Sequence, residues 1–359
     1  MLGGHGDDFL VYEGTAQATG DVFDAGDNHQ TNGDAILVQT ADTDFTNLTT
    51  ATILTAGGVE RIQIQTGRVA TFTGAQLTGQ GININGAGAA GASTLQIDAT
   101  ATTAVDLSNL TFGAVGSGTA FTAGTDVVRT TSAAATNTTI TGTTLNNSLN
   151  GNTGADTITG NTGNDTITGG TNADSLSVST GTDHVVVGSG DISATNFGAG
   201  AAALAAVGDI ITGLTDAAAA DKLNLDVTGF TGGDLANLTV NAAANLAAAG
   251  AIVTTGGGVL LHNALMAAEA IDSGAINATF ITQALAVIMT AGAGTNSATT
   301  SDSYVAIAGA QAGGVAGTED LGIFKIDHAA GGANIAATEV TFVGVIENFG
   351  AALTNGFII

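Results

Sequence analysis

Short runs rich in Val, Ile, Leu and Thr recur through the first 140 residues, at 35–39, 59–65, 69–73, 82–84, 94–97 and 105–107. Gly, Thr, Asn and Ala fill the breaks between them. Strands that short, roughly 8 to 12 residues apart, predict an all-β stack. Hairpin dipeptides are missing from most of the breaks, Asn85-Gly86 being the exception, so a solenoid is favoured over a sandwich. Beyond residue 191 the pattern changes. Phe280, Ile281, Ala284, Leu285, Ile288 and Met289 share one helical face, and Leu261, Leu265 and Ala268 predict another helix before it. Strands return at 304–308, 321–326 and 340–346.

Between these regions the apolar positions lock into a fixed period. Leu149, Ile158, Ile167, Leu176 and Val185 follow one another at intervals of nine. A polar column keeps the same interval, with Asn147, Asp156, Asp165, Asp174 and Asp183, and Gly142, Gly151, Gly160 and Gly169 open the units. Independent columns in one register mark a solenoid. Gly and Asn tolerate left-handed backbone and make a tight loop, while a triplet such as Thr157-Ile158-Thr159 makes a short strand with its middle residue inward. One unit is then half a coil. Eighteen residues return the chain to the same side, which sets Asp156 and Asp174 along one edge and Asn147, Asp165 and Asp183 along the other.

These units, Gly-Asn-Thr-Gly-Ala-Asp-Thr-Ile-Thr from Gly151 and Gly-Asn-Thr-Gly-Asn-Asp-Thr-Ile-Thr from Gly160, resemble the hemolysin-type, or RTX, nonapeptide G-G-x-G-x-D-x-U-x. The resemblance implies a parallel β-roll that binds several Ca2+ ions between successive loops. Carried over residue by residue, it implies one ion between Asp156 and Asp174 and another between Asp165 and Asp183, each completed by backbone carbonyls. A site between Asn147 and Asp165 is implied to be weaker, because Asn147 brings no charge, and Asn172 stands where the pattern has a loop Gly.

A second match opens the chain, where Gly3-Gly4-His5-Gly6-Asp7-Asp8-Phe9-Leu10-Val11 fits every defined position of the nonapeptide. Gly26-Asp27 and Gly33-Asp34 follow without keeping the eighteen-residue spacing, which makes Asp8, Asp27 and Asp34 further candidate ligands. Asp191, at the end of the repeats, and Asp209 and Asp221, in a stretch similar to the segment that closes β-rolls in RTX proteases and S-layer proteins, complete the candidate set. Exposed carboxylates that merely solvate or cap a loop are the competing reading of these last acids.

Charge narrows the role. Five cations (Arg61, Arg68, Arg129, Lys222, Lys325) stand against 31 acids, and a net charge of −26 repels phosphate backbones and anionic membranes alike. Nucleic-acid binding is excluded as a main role. Only six of the acids are Glu; the Asp excess suits turns and compact oxygen ligation. A hydrophobic content of 44% argues against disorder once that charge is neutralised, and the absence of Cys excludes a disulfide scaffold. No apolar run is long enough to cross a bilayer, and the N-terminal residues carry no Sec-type signal.

Enzymatic motifs are wanting. The five His are scattered, no Cys completes a zinc site, and no Ser sits in G-x-S-x-G. Gly86-Ala87-Gly88-Ala89-Ala90-Gly91 matches G-x-G-x-x-G, but Ser93 to Asp98 alternates like a strand instead of opening a helix, which makes the segment a glycine corner.

The sequence thus predicts an all-β protein, a parallel β-roll and β-helix solenoid with a C-terminal β-rich capping region holding one or two short helices. Its expected divisions are 1–140, a solenoid opening with an RTX-like repeat; 141–191, the calcium-binding roll; and 192–359, a capping, export and assembly region. The apolar end Gly356-Phe357-Ile358-Ile359 is similar to that of type I secretion substrates. The expected function is that of a non-enzymatic, secreted structural protein, extracellular or at the cell surface, that assembles as an S-layer or filament. Its expected partner is itself, head to tail through the N-terminal coil, with cell-surface polysaccharide as another. The alternatives are the non-catalytic export half of a secreted hydrolase or toxin, and an adhesin module.

Overall fold

The computed structural model describes residues 2–4, 6–12, 24–26, 33–48, 59–87, 92–115, 119–122, 126–131, 137–187, 208–215, 221–225, 258–266, 282, 284–286, 288–289, 303–309, 320–326 and 335–347. The chain forms two compact units, Met1–Ile167 with Ser179–Gly181, and Thr168–Val178 with Thr182–Ile359.

In the first unit the described strands, Thr119–Ala120 apart, pair in parallel with the strand one coil earlier, as a solenoid requires. One face stacks Phe9–Tyr12, Asp34–Val38, Val59–Gln65 and Asn83–Ala87. A second stacks Thr43–Asp44, Val69–Thr73, Thr94–Asp98, Val127–Thr131 and Asn147–Thr153. A third stacks Ala104–Asp106, Thr139–Thr141 and Thr157–Thr159. Alternation decides which side faces in: Ala70, Phe72, Leu95 and Ile97 are buried, while their neighbours in sequence are only half covered. In-register pairing sets Ile36, Ile62 and Ile84 in one column of the core, and Phe45 stacks on Phe72 with ring centroids 4.7 Å apart. A single helical turn, Gly74–Leu77, fills a corner. Thr73 and Gln76 cap it reciprocally, and the buried Gln76 amide donates to the carbonyls of Phe45 and Leu48.

The strands expected between 35 and 107 all form, each within three residues of its expected bounds. Asn85-Gly86 does not turn a hairpin. It lies inside a strand, because Ile84 fills the core and Gly86 lies under Thr119, whose Oγ1 would stand 2.7 Å from an added Cβ. Thr119–Ala120 pairs antiparallel on that strand. Of the segment read as a glycine corner, residues 88–91 lie outside the described residues.

In the second unit Ser175–Ser177 pairs in parallel with Asp209–Thr212, and His184–Val187 with Lys222–Leu225. Val340–Glu347 continues beside Asp209–Thr212, and Asp320–Ile326 and Ser303–Gly309 add antiparallel strands. Phe324 and Phe342 meet at 5.3 Å between centroids in its core. The helix expected from Leu261, Leu265 and Ala268 is not formed: Gly258–Met266 is a strand paired with Ser303–Gly309. A nearly continuous apolar run satisfies either period, and here sheet pairing decides. The helix expected around 280–289 does form at the residues described there, with Ala284 and Ile288 buried and Met289 left 39% exposed.

Candidate metal centre

The repeats fold into coils of eighteen residues. Asn164 N–H donates to Asn146 Oδ1, and Ala155 N–H to Asn137 Oδ1, each across 18 residues. Thr162 and Thr180 bridge in parallel at the same interval. The loops need the backbone that only Gly and Asn tolerate: Asn152, Asn161 and Asn172 have φ of 75°, 69° and 84°, and Gly163 and Gly181 have 126° and 155°. Asn172 therefore keeps the positive φ of the Gly it replaces, at 84° where Gly163 has 126°. Gly163 also has no room for a side chain, because an added Cβ would lie 2.5 Å from the carbonyl oxygen of Leu145 in the coil before.

At the end of each loop a buried Asp turns inward beside the strand. In the first unit, Asp165 Oδ1 accepts the N–H of Asn147 at 2.8 Å and Asp156 Oδ1 accepts that of Thr138 at 2.6 Å, both 18 residues back. Asn147 mimics a carboxylate only in part. Its Oδ1 accepts the Thr143 N–H, while its Nδ2 donates to Thr143 Oγ1. Burial pushes the Asp156 carboxyl above its ordinary value, and the Thr138 N–H and hydroxyl pull it back.

In the second unit Asp209 Oδ1 accepts the N–H of Asp174 at 3.0 Å, and Asp221 Oδ1 that of Asp183 at 2.8 Å. Asp209 and Asp221 thus cap the loops of two repeat Asp residues from 35 and 38 positions away. Asp221 has its other oxygen on Thr215 N and Oγ1, at 2.7 and 3.0 Å. Asp27 and Asp191 lie outside the described residues.

Such loop edges suit a hard cation. The Oδ2 atoms of Asp156, Asp165, Asp174, Asp183 and Asp209 are buried and accept no hydrogen bond, and loop carbonyls such as that of Leu145 crowd the same glycines. Anionic and carbonyl oxygens are what Ca2+ takes as ligands. Among the described residues no three carboxylates or imidazoles converge, so carbonyl oxygens have to complete such a site. The family model of the RTX calcium-binding nonapeptide repeat matches residues 141–176 and 159–191. Residues 141–191 are RTX repeats. Calcium is accordingly their cofactor, bound as several ions. No curated protein and no solved structure matches the chain. The RTX block has half a coil more than the nonapeptide columns show, since Thr139–Thr141 pairs residue for residue with Thr157–Thr159; its loop carries Thr138 in place of the Asp.

The N-terminal match to the RTX pattern builds a related but different edge. Asp34 Oδ1 accepts the N–H of Asp8 at 2.7 Å, and Glu60 Oε2 accepts the N–H of Asp34 at 2.8 Å, each across 26 residues. Glu60 stands at a bulge, where the pairing steps from Asp34 with Val59 to Ala35 with Arg61. Gly33, at φ 79°, leaves the space that the Glu60 side chain crosses. Arg61, only 1% exposed, lies behind these carboxylates. Its Nε donates to Gly33 O at 3.1 Å and its Nη1 to Val115 O at 3.3 Å, and its Cζ lies 4.9 Å from the centre of the Phe9 ring. Sequence reading missed Glu60 and Arg61. The one available signal was an Arg, among five cations in all, in an apolar strand that buries Val59 and Ile62.

Proposed function

We propose that this chain is a secreted, non-catalytic structural protein whose RTX repeats fold on calcium outside the bacterial cell and which assembles there with copies of itself, as an S-layer or an extracellular filament. The observation that carries the reading is the pairing of calcium-binding RTX coils with an exposed sheet margin in the first unit. Among the described strands, Phe9–Tyr12 has a neighbour on one side only, Asp34–Val38, and it presents Phe9 at 42% and Val11 at 37% exposure. An outer strand with apolar side chains offers backbone groups and surface to another chain. The carboxylates of the RTX block, with no Lys or Arg between Arg129 and Lys222 to offset them, favour an open block at cytosolic calcium and a compact one at about 10⁻⁴ to 10⁻³ M calcium, which suits export before the repeats fold. Residues 192–359 then serve to cap the roll and to carry the chain through a type I pathway. No helix among the described residues is long and apolar enough to cross a membrane.

Negative-stain microscopy of the full chain, in EGTA and in millimolar calcium, tests the assembly. Sheets or filaments that form only with calcium are expected. Dispersed particles under both conditions overturn self-assembly and leave the calcium-binding repeats as they are.

A further inference from the structure

A guanidinium that is 1% exposed cannot stay charged in a protein without compensation. Arg61 finds it in three successive coils: the ring of Phe9 from the first, the carbonyl of Gly33 from the second, and Glu60 beside it in the third, with the Val115 carbonyl closing the far side. The carboxylates of Asp7, Asp34 and Glu60 hold its charge against the pull of burial. The same Asp34 and Glu60 cap the N–H groups of the coils before them. Nothing comparable is available to the RTX block, since the chain has no Lys or Arg between Arg129 and Lys222.

We propose that Arg61 is the resident cation of the N-terminal carboxylate edge: its guanidinium takes the place there that calcium takes in the RTX block, and it clamps the coils of Phe9, Gly33 and Val59–Gln65 together without metal. Asp34 then faces an internal cation, and neither it nor Asp8, whose N–H it caps, is a calcium ligand. The coils of the first face are folded before calcium arrives, and the metal-dependent step is confined to the repeats. This rests on the calcium reading of the RTX block, and the experiment keeps the two apart.

Hydrogen exchange read by mass spectrometry on the full chain, in EGTA and in millimolar calcium, is the test. Peptides from 34–38 and 59–65 are expected to be equally protected in both conditions, and peptides from 139–187 only with calcium. Protection of 34–65 that appears only with calcium overturns the clamp. Protection of 139–187 in EGTA overturns the calcium reading of the repeats and leaves the clamp standing. In Arg61→Met, peptides 34–38 and 59–65 should exchange at least about tenfold faster in EGTA. Unchanged exchange in that variant overturns the assignment of Arg61, and Arg61→Lys, which keeps the charge but not the fork, should fall between the two.

Discussion

At the N-terminal edge Asp34 and Glu60 each cap a backbone N–H from 26 residues away. In the RTX block Asp156 and Asp165 do the same across 18. One device therefore serves both regions, and the regions part over what neutralises it. Arg61 reaches its carbonyls on a long, rotatable stem, so the coils it joins are free to differ in length. Calcium demands oxygens at 2.3–2.6 Å from every loop, so each loop must repeat the last. Neighbouring strands of the first unit pair across intervals as unlike as Ile62 with Ile84 and Ile97 with Thr130, whereas Ile140 pairs with Ile158. Strict period is thus the imprint of the metal, and the fold itself does not need it.

Gly163→Ala should break that comparison hardest. An added Cβ meets the Leu145 carbonyl in a loop with no slack, so a loss of at least about 3 kcal/mol is expected in urea unfolding with calcium present. Gly79→Ala, also at positive φ (71°) but with nothing within 4 Å, should lose only about 1 kcal/mol. Equal losses would mean that the RTX loops are no tighter than those elsewhere.

Asp165→Ala and Asp156→Ala compare the two edges of the block. Asp165 caps Asn147, whose amide passes the link on to Thr143, while Asp156 caps Thr138. Calorimetry should show a larger loss of bound calcium for Asp165→Ala, together with about 1–3 kcal/mol less stability for either variant. Equal calcium stoichiometry in the two variants counts against this arrangement of edges.

The smallest expected change sharpens the contrast. Asn147→Asp adds the carboxylate that its loop lacks, and the buried charge should tighten calcium binding by roughly tenfold while lowering stability in EGTA. Titration of the variant with calcium, followed by circular dichroism, checks both signs.

What the sequence made legible followed the same line. The eighteen-residue coil was readable because metal loops force Gly, Asp and Ile into fixed columns. The strands at 59–65 and 69–73 were readable because burial on one face imposes alternation. Glu60 was hidden, since its partner lies 26 residues away and a bulge turns it toward Asp34. Asp209 and Asp221 were named as candidates, but their partners could not be, because 35 and 38 residues separate them from Asp174 and Asp183. The strand Gly258–Met266 was misread as helical because its apolar run carries no period that excludes either structure.

The hydrogen bonds that link coils between Asn137 and Asp165 reach seventeen to nineteen residues back. A copying slip that adds or removes one whole coil therefore hands down an intact neighbour on either side, and length becomes a trait that can drift without loss of structure. A slip of half a coil is another matter. It exchanges the two edges, sends every loop to the wrong partner, and is the kind of change that selection would see at once.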